Sequence, residues 1–161
     1  MKQHSFFARL YQKILATPSM SWLMSRILHH IDTFVLRLSG GMHTLAEITG
    51  VPIIELTTIG AKSGQPRTLP LTGLPDGEKY ALIASNFGQA SNPGWYYNLK
   101  ANPECTVKKD GLVGTYVARE ADDIEYKLYF DKAVSYYTGY MAYKQRAGKR
   151  KIPVMILEPR R

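Results

Sequence analysis

Apolar residues in the first forty positions recur at helical spacing and predict two consecutive helices. The first covers residues 5–16. The second runs from about Met20 to Leu38, begins after a capping threonine and a proline, and ends at Gly40-Gly41. The pattern therefore predicts a helical extension over residues 1–39, followed by a separate domain over residues 40–161.

After this extension the pattern changes to short β-rich runs. Asp76-Gly77 and Asp110-Gly111 are typical of hairpin turns, because type I′ turns favour Asp and Gly at their centre. Short strands joined by such turns favour a small antiparallel barrel over a parallel sheet. The pattern predicts about six strands, over residues 51–58, 68–74, 79–85, 104–108, 112–119 and 152–157.

Three helices are predicted between the strands. Asn92-Pro93, read as a cap followed by proline at the first helical position, predicts a helix to about Ala101. A helix over residues 122–134 is predicted to turn Ile124, Leu128, Phe130 and Val134 inward. A further helical piece is predicted over residues 137–146. Strands and helices together give an α+β domain.

Charge is concentrated at the two ends of the chain, which carries a net +8. Residues 144–161 hold seven Lys/Arg against one acid, and residues 1–39 hold five against one. An anionic coenzyme, a membrane surface and nucleic acid are the partners that such charge suggests, and solvated basic tails are the alternative.

Composition excludes several classes of protein. The single cysteine, Cys105, rules out a disulfide framework, and the four histidines lack ligand spacing, so no metal site is expected. We expect neither a signal peptide nor a transmembrane helix, since no apolar run reaches 18 residues. No Rossmann or Walker motif is present. A cytoplasmic protein is the resulting expectation.

Three segments carry candidate chemistry. The Gly60–Arg67 loop joins glycines to Lys62, Ser63 and Arg67, donors suited to an anion, although a solvated hairpin fits equally well. Residues 85–99 combine a polar loop with an aromatic helix start, whose free N–H groups attract anions. Tyr137, Tyr140 and Tyr143 share one side of a predicted helix and suit a flat acceptor, or simple half-buried packing.

These segments occur in an order that resembles the deazaflavin (F420)-dependent nitroreductase and quinone reductase family. The matching residues are Leu56–Arg67, Pro70-Leu71, Asp76-Gly77, Ala84-Ser85, Pro93–Leu99, Ala101–Pro103 and Ile152–Pro159. Together they cover most of residues 40–159.

The resemblance implies a split β-barrel and hydride transfer from reduced coenzyme F420, a 5-deazaflavin, to an organic acceptor such as a quinone or a nitroaromatic compound. It implies a catalytic or acceptor-side role for four residues: Ser85, Tyr137, Tyr140 and Tyr143. It implies that the coenzyme contacts Ala61, Lys62, Ser63, Arg67, Thr68, Pro70, Leu71, Thr72, Ile83, Ala84, Ser85, Asn86, Gly94, Trp95, Tyr96, Asn98 and Tyr140.

Two positions depart from the family pattern. Ala61 stands where arginine is common, and Tyr97 stands where histidine is frequent. FMN remains the second choice of coenzyme, because split barrels host both. A non-catalytic protein that binds a deazaflavin, FMN or a fatty-acid-like ligand is the alternative function.

Partners beyond the acceptor are less defined by the sequence. The amphipathic N-terminal helices suit peripheral contact with the inner face of the cell membrane, or packing against the barrel or a dimer mate. A homodimer is therefore one of the open arrangements. Nucleic acid is not an expected partner, because the basic run Lys144–Lys151 lacks interleaved aromatic residues.

Overall fold

A computed structural model describes residues 50–160 of the chain. Seven strands alternate with three α-helices and a short 3-10 turn at Asn86–Gly88. The strands are β1 (Ile53–Ile59), β2 (Pro66–Thr72), β3 (Leu74–Asp76), β4 (Lys79–Ile83), β5 (Glu104–Lys109), β6 (Leu112–Glu120) and β7 (Val154–Pro159). The helices are α1 (Gly94–Ala101), α2 (Asp123–Tyr136) and α3 (Gly139–Ala147).

All seven strands form one antiparallel sheet in the order β2-β1-β5-β6-β7-β4-β3. Its two edge strands, β2 and β3, are consecutive in sequence and are joined by Gly73 alone. The last residue of β2 and the first residue of β3 are two Cα steps apart, at most about 7 Å, so these ends of the two edge strands must lie close together. The sheet is therefore curled into a barrel.

Gly73 is required at this joint for reasons of space. Its N–H donates to the carbonyl of Pro52 at 3.0 Å. A Cβ at this position would lie 2.7–2.8 Å from side-chain carbons of Ile54, which is fully buried. The close approach leaves room only for a hydrogen atom.

Two hydrophobic cores lie on opposite faces of the sheet. Along β7, Met155 and Leu157 point into the barrel interior, whereas Val154 and Ile156 point to its outer face. Strand side chains alternate between faces, so strands covered on both faces need continuous apolar runs. This explains why Val154–Leu157 contains no polar residue.

Helix α1 closes the interior core through Trp95 and Leu99, which pack with the buried residues of β1, β4 and β5. Helices α2 and α3 cover the outer core through Tyr129, Phe130 and Tyr140. Asp122 begins α2 with a capping box: its carboxylate accepts from the N–H of Glu125 at 2.8 Å, and Glu125 returns the contact to the N–H of Asp122 at 3.0 Å.

The predicted α+β split barrel is confirmed, with one more strand than expected. The segment predicted as a strand over 68–74 is β2, which ends at Thr72, and β3 begins at Leu74 after the Gly73 joint. Both predicted Asp-Gly turns join hairpins, β3–β4 and β5–β6. The prediction missed the break because a glycine between two β-rich runs also suits a single bulged strand.

Two helix predictions need correction. Helix α1 has Pro93 as its cap residue, and the Asn92 side chain bonds to Arg150 instead of capping the helix. In α2, Ile124 is 83% exposed and Leu128 is 57% exposed, so the predicted inward stripe is wrong at both positions. Phe130 is buried as predicted, and Tyr129 and Ala133 are buried beside it.

The predicted helices of residues 1–39 lie outside the described residues, and the domain boundary at residue 40 stays a prediction. Within residues 50–160, no helix is both long and apolar enough to cross a bilayer.

Candidate functional site

The loop between β1 and β2 is tightly folded on itself. The N–H of Gly60 donates to the carbonyl of Gln65 at 2.9 Å, and the N–H of Gly64 donates to the carbonyl of Gly60 at 2.8 Å. Gly64 has a φ of +65°, which only glycine adopts freely. The exposed side chains of Lys62 and Ser63 belong to this loop, which presents one cation and one hydroxyl to solvent.

Asn98 of α1 ties this loop to the barrel. Its Oδ1 accepts from the N–H of Ala61 at 3.0 Å, and its Nδ2 donates to the Thr58 hydroxyl at 3.0 Å. Thr58 is 1% exposed, so this bond also satisfies a buried polar group. The predicted coenzyme residue Asn98 thus has its amide occupied in positioning the loop.

Strand β2 presents a different set of residues on each face. Leu69 and Leu71 pack towards the interior core. Because side chains alternate, Thr68, Pro70 and Thr72 face the opposite side. Arg67 is exposed at the loop end of the strand, and five residues of strand place it roughly 17 Å from Thr72. The two ends of β2 are thus far enough apart to contact different parts of one elongated ligand.

The three predicted tyrosines come together at the Thr72 end of the site. The rings of Tyr137, Tyr140 and Tyr143 lie 5.9 Å apart, centroid to centroid, in every pair. The hydroxyls of Tyr137 and Tyr143 are 3.3 Å apart. Tyr140 and Tyr143 are buried, whereas Tyr137 is half-buried at the margin.

Burial raises the pKa of Tyr140, and a hydrogen bond from Thr72 acts in the opposite direction. Burial, then the neighbouring Tyr137, raises the pKa of Tyr143 far above its ordinary value. Both phenols therefore stay protonated at neutral pH, and each keeps a proton to donate.

Residues 84–92, called here the Ala84–Asn92 loop, pack on α3 beside these tyrosines. The Phe87 ring meets the Tyr143 ring edge to face at 5.8 Å. Asn86 and Phe87 have φ values of 47° and 55°, a left-handed conformation that is unusual outside glycine. The predicted residues Ile83 and Ala84 are buried in the two cores, so Ser85 and Asn86 supply the more accessible side chains.

Two arginines hold this loop, and sequence reasoning missed both. Arg150 donates to the carbonyl oxygens of Ala84, Ser85 and Gln89 at 3.2, 2.7 and 2.9 Å, and to the Asn92 Oδ1 at 2.5 Å. Arg146 donates to the carbonyl of Phe87 at 3.1 Å.

The same basic run has other internal partners. The Lys144 ammonium lies 4.9 Å from the centre of the Phe130 ring, and Lys151 pairs with Asp123 at 3.2 Å. The interpretation of the run as a solvated tail is therefore wrong for Arg146 and Arg150, which are partly buried, whereas Lys144, Lys149 and Lys151 are exposed. In the sequence this run is marked only by its density of positive charge, which does not indicate which groups each side chain contacts.

Three further predicted residues pack in the core, bind a protein group or begin a helix. Trp95 is 8% exposed and packs in the interior core. The Tyr96 hydroxyl donates to Glu120 of β6 at 2.5 Å, and burial together with this bond raises its pKa to about 12. Gly94 opens α1, and a Cβ there would meet no atom within 4 Å.

The family model for F420H(2)-dependent quinone reductases matches residues 29–159. The chain belongs to this family. The match spans β1 to β7 and includes the β1–β2 loop and the Ala84–Asn92 loop. The predicted identity as an F420-dependent oxidoreductase, with F420 as the coenzyme, is confirmed at the level of the family.

Individual relatives agree with this assignment. The F420H(2)-dependent quinone reductase Rv1261c of Mycobacterium tuberculosis is 36% identical over 115 residues, which are 68% of this chain and 74% of that protein. A solved F420-H2 dependent reductase, FDR-A, is 40% identical with a TM-score of 0.61, over 66% of this chain and 94% of that one. A structure described as a domain-swapped dimer is 36% identical with a TM-score of 0.63, over 88% of this chain and all of that one.

The chemistry of the donor set fits an F420 coenzyme. F420 joins a flat deazaflavin to a phosphorylated, polyglutamate tail. The exposed cations Lys62 and Arg67 and the Ser63 hydroxyl suit the anionic part. The Pro70–Thr72 end, bordered by phenol rings, suits a flat ring.

Proposed function

We propose that this protein reduces a quinone with reduced F420, and that a groove along β2, between its loop end at Arg67 and its other end at Thr72, holds the coenzyme. The observation that carries the proposal is the arrangement of β2 itself. One strand leads from an exposed cationic loop at Arg67 to a wall of tyrosines beside Thr72.

At the cationic end, Lys62, Ser63 and Arg67 would bind the phosphate and tail. Residues 50–160 offer neither Lys62 nor Arg67 a carboxylate within ion-pair distance, so both charges are available to an anionic ligand. The Asn98 amide keeps the loop folded, and the N–H of Ala61 is already used in that contact. The arginine that family members commonly carry before the lysine is absent here, so Lys62 and Arg67 supply the charge.

At the other end, Pro70 and Thr72 with Ser85 and Asn86 would contact the ring. When bound, a reduced deazaflavin supplies a hydride, which is a two-electron equivalent. The protein contributes position and exclusion of water, and its buried tyrosines make that end of the groove apolar.

Reduction of a quinone to a hydroquinone needs a hydride and a proton. Tyr137 is the candidate donor, because its hydroxyl is at the accessible margin and lies 3.3 Å from that of Tyr143. A proton given by Tyr137 is replaced from water or along this contact. Water is the alternative source, so the loss of Tyr137 would slow turnover without abolishing it.

A fluorescence titration with oxidised F420, with FMN in parallel, tests the coenzyme site. We expect saturable binding of F420, weakened roughly 5- to 30-fold by Lys62→Ala or Arg67→Ala, the loss of one charge-assisted contact each. Lys127→Ala is the matched control, since this exposed lysine of α2 pairs with Asp131 far along the chain from β2.

Turnover is tested separately with reduced F420 and a benzoquinone, a naphthoquinone and a nitroaromatic compound. Faster reduction of the quinones supports the proposal. Binding of FMN alone would overturn the coenzyme, and tight F420 binding without reduction of any acceptor would favour a carrier protein.

We further propose that the protein forms a homodimer, which is supported by the 36% identical domain-swapped dimer. Light scattering of the full chain tests this, and a mass near 18.2 kDa at all concentrations would rule it out. Peripheral membrane contact through residues 1–39 stays a prediction, and liposome flotation of the chain with and without those residues tests it.

A further inference from the structure

We propose that Arg150 is the positioning residue of the coenzyme site: its guanidinium sets the shape of the Ala84–Asn92 loop. This inference rests on the proposed function, in which that loop contacts the deazaflavin. Arg150 would act through the loop backbone, and no contact of its own with the coenzyme is invoked.

The first step in the argument is the number of contacts made by one side chain. The Arg150 guanidinium donates to the carbonyls of Ala84, Ser85 and Gln89 and to the Asn92 side chain. These four partners span both ends of the loop. A planar fork of donors is suited to several fixed acceptors at once, which a lysine ammonium on a flexible stem is not.

The second step is the conformation that these contacts hold. Asn86, Phe87 and Gly88 have consecutive positive φ values of 47°, 55° and 78°. Such a conformation persists at residues other than glycine only where the surroundings enforce it. Arg150 contacts the residues on both sides of this segment, and Arg146 contacts Phe87 within it.

The third step is the closeness of the loop to α3. A Cβ at Gly88 would lie 2.7 Å from the Tyr143 carbonyl oxygen and 2.7 Å from the Arg146 Cβ. The loop therefore rests directly on α3, the helix that carries Tyr140 and Tyr143. A change in loop shape would alter the space between Ser85 and the tyrosines.

The fourth step links the two sides of the groove. Asn92, held by Arg150, lies two residues before the first residue of α1, and Asn98 of that helix holds the Lys62 loop. Helix α1 thus connects both loops that the proposed function assigns to the coenzyme. Burial lowers the pKa of Arg150, whose half-buried guanidinium donates to backbone acceptors.

Two variants test the inference, Arg150→Met and Arg150→Lys, with Lys149→Met as the control for charge at the adjacent position. The readouts are F420 affinity by fluorescence and hydrogen exchange of the peptide covering residues 84–92. Both are measured well below the thermal midpoint of each variant, with folding checked by circular dichroism.

We expect Arg150→Met to weaken F420 binding at least tenfold and to speed loop exchange at least tenfold. Arg150→Lys keeps the positive charge but not the planar guanidinium, so its F420 affinity should lie between those of the wild type and Arg150→Met. Millimolar guanidinium should restore part of the affinity of Arg150→Met, and Lys149→Met should behave as wild type. If Arg150→Met does not fold, Asn92→Ala removes one contact and should show smaller changes of the same sign.

Wild-type F420 affinity in folded Arg150→Met would overturn the inference. So would Arg150→Lys with both wild-type affinity and an unchanged rate of loop exchange. Faster exchange without loss of affinity would also overturn it, since the loop would then not shape the site. Failure of the wild-type chain to bind F420 would instead overturn the proposed function, and loop exchange would still report whether Arg150 holds the loop.

Discussion

The side-chain amide of Asn98 on α1 accepts a hydrogen bond at 3.0 Å from the backbone N–H of Ala61, which lies in the loop between β1 and β2. The same amide donates to Thr58, a buried residue of β1. One side chain therefore determines both where the cationic loop begins and whether a buried hydroxyl is satisfied.

Substitution of Asn98 should separate these two effects. Asn98→Leu leaves the Thr58 hydroxyl without its donor, and we expect it to cost about 1–3 kcal/mol of stability and to weaken F420 binding. Asn98→Asp keeps an acceptor for Ala61 and for the Thr58 hydroxyl, so both losses should be smaller. Urea unfolding and coenzyme titration measure them, and equal affinity in both variants would argue against a role for Asn98 in loop position.

Gly88 offers a test of loop packing that has an internal control. Gly88→Ala combines a positive φ with a Cβ 2.7 Å from the Tyr143 carbonyl oxygen of α3, and we expect it to cost about 2–4 kcal/mol and to impair coenzyme binding. Gly77 has a φ of +59° but lies in open space, so Gly77→Ala should lose only about 1 kcal/mol of stability, from the unfavourable backbone conformation. Thermal unfolding compares the two, and equal losses would contradict the close contact.

Glu125 predicts a definite response of stability to acid. Its bidentate pair with Arg119 at 2.7 Å and its bond to the Asp122 N–H lower its pKa from 4.5 to about 2. A lowered folded-state pKa gives stability that is present above about 4.5 and lost as the pH falls towards 2. Glu125→Gln should therefore cost about 1 kcal/mol at pH 7, and the difference from wild type should shrink in acid.

The control for this measurement is Glu104→Gln. Glu104 pairs with Arg160 at 2.7 Å, but both side chains are more than half exposed. Such pairs contribute little, so its loss should be under about 0.5 kcal/mol at any pH. Denaturant titrations at pH 7, 4 and 2.5 distinguish the two residues, and a pH-independent effect of Glu125→Gln would refute the ionic explanation.

Six tyrosines predict an unusual alkaline titration. Their pKa values are raised, chiefly by burial, at Tyr96, Tyr116, Tyr126, Tyr129, Tyr140 and Tyr143. We expect these phenols to stay protonated at pH 10 in the folded protein and to ionise there in urea. Since the unfolded chain then releases more protons, stability should fall above about pH 10. Absorbance of tyrosinate measures the ionisation of these phenols, and full ionisation of the native protein at pH 10 would disprove their burial.

Much of the barrel was predictable because hairpin turns have a local chemistry. Asp76-Gly77 and Asp110-Gly111 sit at the turns for which their sequence is suited, and the capping box of α2 begins within a residue of its predicted start. The exposure of Ile124 was not predictable from spacing, because the face of α2 that is buried is decided by the outer core of β4 and β7.

The site was predictable in a similar, partial way. Lys62, Arg67 and the tyrosines could be proposed because their types and order suit anions and flat rings, and their roles stay predictions. Arg150 was not, because nothing in a basic run indicates that one guanidinium turns back to four acceptors more than fifty residues earlier. Long-range partners of this kind depend on where α3 ends, which Gly148 determines with a φ of +59°.

The joint at Gly73 has a further consequence for how the protein can diversify. Thr72, beside the Tyr140 phenol, and Leu74, buried in the outer core, are separated by this one glycine. The Thr72 end of β2 is therefore fixed in place by the joint between β2 and β3, and a residue inserted at Gly73 would separate these two strands. We therefore expect changes in acceptor choice to arise in the surrounding loops, because a change of length at Gly73 would disturb the barrel.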